Sequence, residues 1–257
     1  MGAFECGVEA IVQSNLWRLA LMCMALLLAA CTHAPPRNPM AQWVPSPNQS
    51  ARKPMLIVLH YTEQESVAQS LHTLRTSNPD GPVSAHYLIG EAGDLYQLVA
   101  DERRAWHAGG GSWGTISDVN SASIGIEIDN DGREPFTEPQ IATLLRLLDD
   151  LCTRYDVPRT NVIGHADMAP TRKIDPGRLF PWQRLAEAGF GRWPAADRAP
   201  APPGFDPMLA LRLLGYQLDD PAAAIRAFHL HYRGIDTTTL DDEDASILHA
   251  LIAESRE

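Results

Sequence analysis

Hydrophobic and polar positions fall into two periods along this chain. An unbroken apolar run, "MLIVLH" from Met55 to His60, has the length and β-branched content of a strand buried on both faces. It is followed by "ESVAQSLHTLRT", Glu65 to Thr76, where Val67, Leu71 and Leu74 recur at helical spacing. Two short apolar runs, "AHYLIG" and "LYQLVA", flank Glu91, Ala92, Gly93 and Asp94, and this pattern predicts a β-hairpin. In "SIGIEIDN" the isoleucines at 124, 126 and 128 alternate, so a strand there turns Glu127 to the opposite face. The strongest helical pattern is "EPQIATLLRLLDDLCTRYDVP", with Thr137 as N-cap, Pro139 in the first turn and Pro158 past the end. "NVIGH" brings a further strand up to His165.

Strand, helix, hairpin, strand, helix, strand describes an α/β domain with a central mixed β-sheet flanked by helices, over residues 55–193. A Pro- and Ala-rich stretch from Trp193 to Gly204 reads as a linker. After it, "PMLALRLLGY", "DPAAAIRAFHLHY" and "DDEDASILHALIAE" predict a small three-helix C-terminal module over 205–257, with Leu213, Leu214, Ile225 and Phe228 in its core.

The segment before Met55 belongs to a different regime. "LWRLALMCMALLLAAC" is apolar from Leu19 to Cys31, shorter than the roughly 20 residues of a membrane-spanning helix. Its end, "LAAC", resembles the lipobox of bacterial lipoproteins. That resemblance implies a signal peptide over 1–30, lipid attachment at Cys31 and anchoring to a membrane; an ordinary signal peptide or a short uncleaved anchor are the alternatives. Glu5 and Glu9 ahead of Arg18 depart from the usual positive leader. Residues 31–54, with prolines every few positions, read as an extended tether. Thr32 in place of aspartate after the cysteine resembles sorting to the outer membrane, with the protein facing the periplasm.

The formal net charge of −11 argues against nucleic acid as partner. Four cysteines form neither a CxxC pair nor an even framework, and Cys152 sits in the apolar stripe of the longest helix. Nothing in the sequence implies an obligate protein partner.

Chemistry concentrates in "GHADMAPTRKIDPG", Gly164 to Gly177, too rich in Pro and Gly to predict a helix. A loop pinned by Pro170 and Pro176 presents His165 and Asp175 with little entropic loss. His60, closing the first strand, is a third candidate ligand. Two imidazoles and a carboxylate suit zinc with an open coordination position, although nine histidines leave the choice open on spacing alone. The glycines of "AWHAGG" let the backbone approach a ligand. Trp106 and His107 are therefore candidate substrate contacts, with plain packing as the alternative. His86 reads as packed, and His229, His231 and His249 as structural.

"IVLHYT", "SAHYLI", "RAWHAG", "SIGIEIDN" and "GHADMAPTRKIDPG", in this order, resemble the zinc-dependent N-acetylmuramoyl-L-alanine amidases of the amidase_2 type, from about Leu56 to Trp193. The tail is similar to small helical peptidoglycan-binding modules. The resemblance implies one zinc ion per chain held by His60, His165 and Asp175, a catalytic Glu127 and an active-site Lys173. Arg172 is left as surface charge. Asp167, close behind His165, is a candidate partner for a ligand imidazole. The implied reaction is hydrolysis of the bond between N-acetylmuramic acid and L-alanine in peptidoglycan or muropeptides. The alternatives are a peptidoglycan-recognition lipoprotein that does not cut, and an endopeptidase acting elsewhere in the stem.

Overall fold

The computed structural model describes residues 38–51, 54–76 and 81–254. The expected signal peptide and Cys31 lie outside them. In chain order the elements begin with strands β1 (Gln42–Trp43), β2 (Gln49–Ala51) and β3 (Leu56–Tyr61), then helix α1 (Val67–Thr73). Next come β4 (Tyr87–Ile89), β5 (Leu95–Gln97), β6 (Arg103–Ala105), α2 (Val119–Ala122), β7 (Ser123–Ile128), α3 (Glu138–Tyr155) and β8 (Val162–Gly164). Helices α4 (His165–Met168), α5 (Trp182–Glu187), α6 (Pro207–Leu214), α7 (Pro221–Tyr232) and α8 (Asp242–Glu254) complete the described chain.

A mixed sheet of order β1-β5-β4-β7-β3-β8 forms the centre, and helices flank it. β3 runs parallel to both β7 and β8, and β7 runs parallel to β4, so these strands all point their carboxyl ends the same way. The expected hairpin is the antiparallel β4–β5 pair. Its turn is closed by the Gly93 N–H on the Gly90 carbonyl at 2.8 Å. Gly93 has φ +84°, and a Cβ there would lie 2.8 Å from the Pro139 carbonyl oxygen. The turn needs glycine for both reasons.

α3 starts at the expected N-cap, and the structure adds a capping box: Thr137 Oγ1 accepts from the Gln140 N–H, and Gln140 reaches back to the Thr137 N–H. Its Ile141, Leu144, Leu148 and Leu151 bury against Ile57 and Leu59 of β3 and the isoleucines 124, 126 and 128 of β7. The opposite sheet face carries Leu56 and Val58, covered by Ala108, Met168 and Ala169. Cys152 is buried beside α3's other apolar residues.

Three expectations need correction. The segment 31–54 is not all tether. β1 pairs parallel with β5, and β2 pairs antiparallel with β6. Asn38 donates to Gln97 and Asp150. The exposed edge of β5 offers unpaired backbone groups, and an extended Pro-rich chain is well shaped to satisfy them. The loop after β8 is not free of helix, because His165–Met168 make one turn. Leu213 is not core: it is 62% exposed, whereas Leu211 is fully buried.

The C-terminal helices α6 to α8 share one apolar cluster that also takes in Ala166 of α4 and borders Trp113 and Trp193. Asp206 and Asp220 cap α6 and α7, each followed by proline at the first helical position. Gly215 ends α6 with φ +127°, and a Cβ there would meet the Trp113 ring at 2.6 Å. No helix among the described residues is long and apolar enough to cross a membrane.

Candidate metal centre and cleft

Parallel strands of an α/β sheet place their following loops on one edge, where ligands bind. His60 sits at the end of β3, opposite Glu127 of β7 in register, and His165 directly follows β8. Paired residues of neighbouring strands share a face, so His60 and Glu127 open onto the same side, away from α3. Asp175 arrives from the loop after α4. The Ala166 N–H donates to the Asp175 carbonyl at 2.8 Å, which folds that loop back beside His165. Gly164 permits the approach, because a Cβ there would stand 2.9 Å from Pro176 Cδ.

The result is a tight trio. His60 Nδ1 lies 2.9 Å from His165 Nδ1 and 3.1 Å from Asp175 Oδ2, and His165 Nδ1 lies 3.0 Å from the same oxygen. All three residues are buried. Burial, seconded by the His165 imidazole, pushes His60 down to about 4 against the pull of Asp175, so it is neutral at physiological pH.

The donor set fits a cation. His165 Nε2 faces the Ala108 carbonyl oxygen at 3.2 Å, and a carbonyl only accepts, so Nε2 carries a proton, which in the neutral ring leaves Nδ1 an acceptor. That acceptor faces a carboxylate oxygen, which also only accepts. Two imidazoles and a carboxylate around one point match zinc in ligand type and number.

The trio floors a cleft of about 260 Å³ lined by Thr62, Glu63, Trp106, Glu127, Lys173 and Ile174, among others. Glu127 is half-buried, and among the described residues its Oε2 has no hydrogen-bond partner. Burial first, and then the Asp175 charge, raise its carboxyl well above the usual range, while Lys173 pulls the other way. Lys173 is exposed on the facing loop. An unsatisfied carboxylate oxygen beside a cation site is what proton transfer at that point requires.

The residues named for lesser roles are distributed differently. Trp106 lines the cleft as a candidate contact. His107 borders it too, but its Nδ1 is 3.0 Å from His60 Nε2 and its Nε2 is 3.1 Å from Ser123 Oγ. Asp167 does not touch a ligand imidazole. Its carboxylate accepts from the Gly164 N–H, Tyr216 Oη and His231 Nδ1, each at 2.7 Å, and so ties α4 to the C-terminal helices. The reason is helix geometry: two positions after His165 the side chain leaves on the opposite side of the turn. Arg172 is more than surface charge, since its Nη2 donates to the carbonyls of Ala108 and Gly110. His86 is a packing residue in the sheet, accepting the Gly125 N–H and facing the Arg103 carbonyl.

The family described as N-acetylmuramoyl-L-alanine amidase (Amidase_2) matches residues 50–178. The chain is 37% identical to the N-acetylmuramoyl-L-alanine amidase AmiD of Escherichia coli (strain K12), covering 77% of this chain and 82% of that one. A solved complex of Escherichia coli AmiD with the substrate anhydro-N-acetylmuramic acid-L-Ala-D-gamma-Glu-L-Lys superposes with TM-score 0.69 at 35% identity, over 79% of this chain and 91% of that one. AmpDh3 of Pseudomonas aeruginosa, solved with an anhydromuramic pentapeptide, gives TM-score 0.71 at 33% identity, over 88% and 97% of the two chains.

Proposed function

Since the chain belongs to the N-acetylmuramoyl-L-alanine amidase family, we propose that it hydrolyses the amide between the lactyl group of N-acetylmuramic acid and L-alanine of the stem peptide, using one zinc ion held by His60, His165 and Asp175. The substrate is peptidoglycan or its anhydro-muropeptides, a reading supported by the relatives solved with such ligands. The observation that carries it is the convergence of two imidazole nitrogens and a carboxylate oxygen beneath the unpartnered oxygen of Glu127.

Bound zinc would polarise the scissile carbonyl and acidify water, bringing its pKa to about 7. Glu127 takes the proton of the attacking water and returns it to the amide nitrogen as the C–N bond breaks, work worth about 10²–10⁴-fold. Its raised pKa suits both halves of that task. The Lys173 ammonium stabilises negative charge developing on the carbonyl oxygen. The cleft walls, Trp106 among them, hold the sugar and the stem peptide.

The reading of Cys31 as a lipid attachment site, the outer-membrane location facing the periplasm, and contact of the C-terminal helices with wall glycan are further proposals, supported by "LAAC", Thr32 and the composition of the tail. A recognition protein that does not cut is disfavoured, because Glu127 and all three metal ligands are present.

The test is muropeptide digestion by the chain from Ala34 onward, with mass spectrometry of products, beside a chelated sample and Glu127→Ala. Free stem peptide beginning with L-alanine, lost in both controls, supports the amidase. Sacculus binding without release by folded, zinc-loaded protein moves the reading to recognition, and cleavage within the stem overturns the bond assignment.

A further inference from the structure

We propose that His107 is a positioning residue that fixes the tautomer of His60, through a hydrogen-bonded relay ending on Ser123 and the Val119 carbonyl, so that His60 offers an unprotonated Nδ1 to the metal. The inference rests on the zinc reading above and concerns how the chain prepares that site.

The direction of each hydrogen bond follows from the fixed end. Ser123 Oγ lies 2.6 Å from the Val119 carbonyl oxygen. A carbonyl cannot donate, so the hydroxyl gives its only proton there. Toward His107 Nε2, at 3.1 Å, Ser123 then presents a lone pair, and His107 Nε2 must carry the proton. A neutral imidazole protonated at Nε2 is an acceptor at Nδ1. That acceptor stands 3.0 Å from His60 Nε2, which therefore carries the His60 proton. His60 Nδ1 is left bare, on the side facing His165 and Asp175. Running the relay backwards would put two oxygens 2.6 Å apart with no proton between them.

The ring of His107 is held where the relay needs it. Asn120 Oδ1 accepts the backbone N–H groups of both His107 and Ala108, at 3.0 and 2.9 Å. Gly125 leaves the space for the imidazole, since a Cβ there would stand 2.4 Å from His107 Cγ. The ring meets His60 edge-on, with centroids 5.1 Å apart and planes at 83°. Ala108, the next residue, takes the outer N–H of His165. One dipeptide, His107–Ala108, thus orients both imidazole ligands. Outer partners of this kind are worth about 10–100-fold in metal affinity.

The experiment uses the chain from Ala34 onward with ¹⁵N-labelled histidine. In the metal-free wild type, imidazole ¹⁵N spectra should show His60 protonated at Nε2 and bare at Nδ1. His107→Leu should lower zinc affinity about 10–100-fold in chelator competition. His107→Gln, whose amide oxygen can accept the His60 proton, should recover much of it. Ser123→Ala leaves the His107 ring in place and should give a mixed His60 tautomer, which keeps the proposal testable if His107→Leu does not fold. A metal-free wild type with His60 protonated at Nδ1 overturns the proposal, as does a zinc affinity unchanged in both His107→Leu and Ser123→Ala. Failure of the wild type to take up one zinc per chain would instead refute the zinc reading, while the tautomer measurement still decides the relay.

Discussion

Replacing Asp167 by alanine should destabilise the protein by about 4 kcal/mol, because this carboxylate is the polar knot between α4 and the C-terminal helices. Asp167 is 1% exposed and receives three hydrogen bonds, from the Gly164 N–H, the Tyr216 hydroxyl and His231 Nδ1. Truncation strands three buried donors. Each unsatisfied group costs about 1–3 kcal/mol, and the lower half of the resulting range applies because relaxation or an entering water recovers part of the loss. Tyr216→Phe removes a single donor and leaves the carboxylate its other two bonds, so it should cost about 1 kcal/mol. Equilibrium urea unfolding followed by tryptophan fluorescence suits the question. Trp182 stacks on His231 at 3.7 Å and Trp113 meets Tyr216 edge-on at 5.0 Å, so both indoles report on this seam. A loss below about 1 kcal/mol for Asp167→Ala would refute the reasoning. So would a Tyr216→Phe penalty as large as that of Asp167→Ala, since the carboxylate would then not be the hub.

Lys173→Met should move the acid limb of the kcat/KM profile to higher pH: Lys173 favours the charged form of Glu127, its removal raises that pKa further, and the basic form then needs a higher pH. The pH–rate profile of the purified variant checks this, and a shift downward would contradict the assigned field. Gly125→Ala should cost about 1–3 kcal/mol by overpacking, because the new methyl would meet His107 at 2.4 Å on a strand held from both sides; thermal denaturation of the metal-free protein measures it. Leu211→Ala should cost about 2–5 kcal/mol, whereas Leu213→Lys should stay within about 0.5 kcal/mol of wild type. Leu211 is fully buried and Leu213 is 62% exposed, so urea midpoints separate the two.

Much of this architecture is legible locally. The Thr137 N-cap of α3, the Asp-Pro starts of α6 and α7, and the Gly93 turn are short-range signals that act before any tertiary contact forms. The candidate ligands His60, His165 and Asp175 are singled out for a different reason: their flanking motifs resemble a known family, while bare spacing among nine histidines left them undecided. What escaped is whatever depends on a partner far along the chain. Asp167 reads as an aide to its neighbour His165, but its partners Tyr216 and His231 lie 49 and 64 residues away. The proline-rich segment reads as tether because the β5 edge that binds it is invisible until the hairpin has folded. Leu213 matches the helical period of α6, yet it falls on the exposed side of that helix.

β7 shows why a half-read strand conceals chemistry. Its isoleucines announce one face plainly, and the alternation correctly sends Glu127 to the other. That other face is Ser123, Gly125 and Glu127, a sequence without hydrophobic signal. Each of these residues is nonetheless determined by what stands opposite: Ser123 Oγ lies 3.1 Å from His107 Nε2, Gly125 leaves room for that ring, and Glu127 opens into the cleft beside His60. A hydrophobic pattern specifies which side of a strand is core, because burial is non-directional and any apolar residue of suitable size serves. A catalytic face is specified by directed bonds to particular atoms, and these carry no period. Small and polar residues on the back of a well-patterned core strand are therefore where partners should be sought, and here they lead from the sheet through His107 to His60.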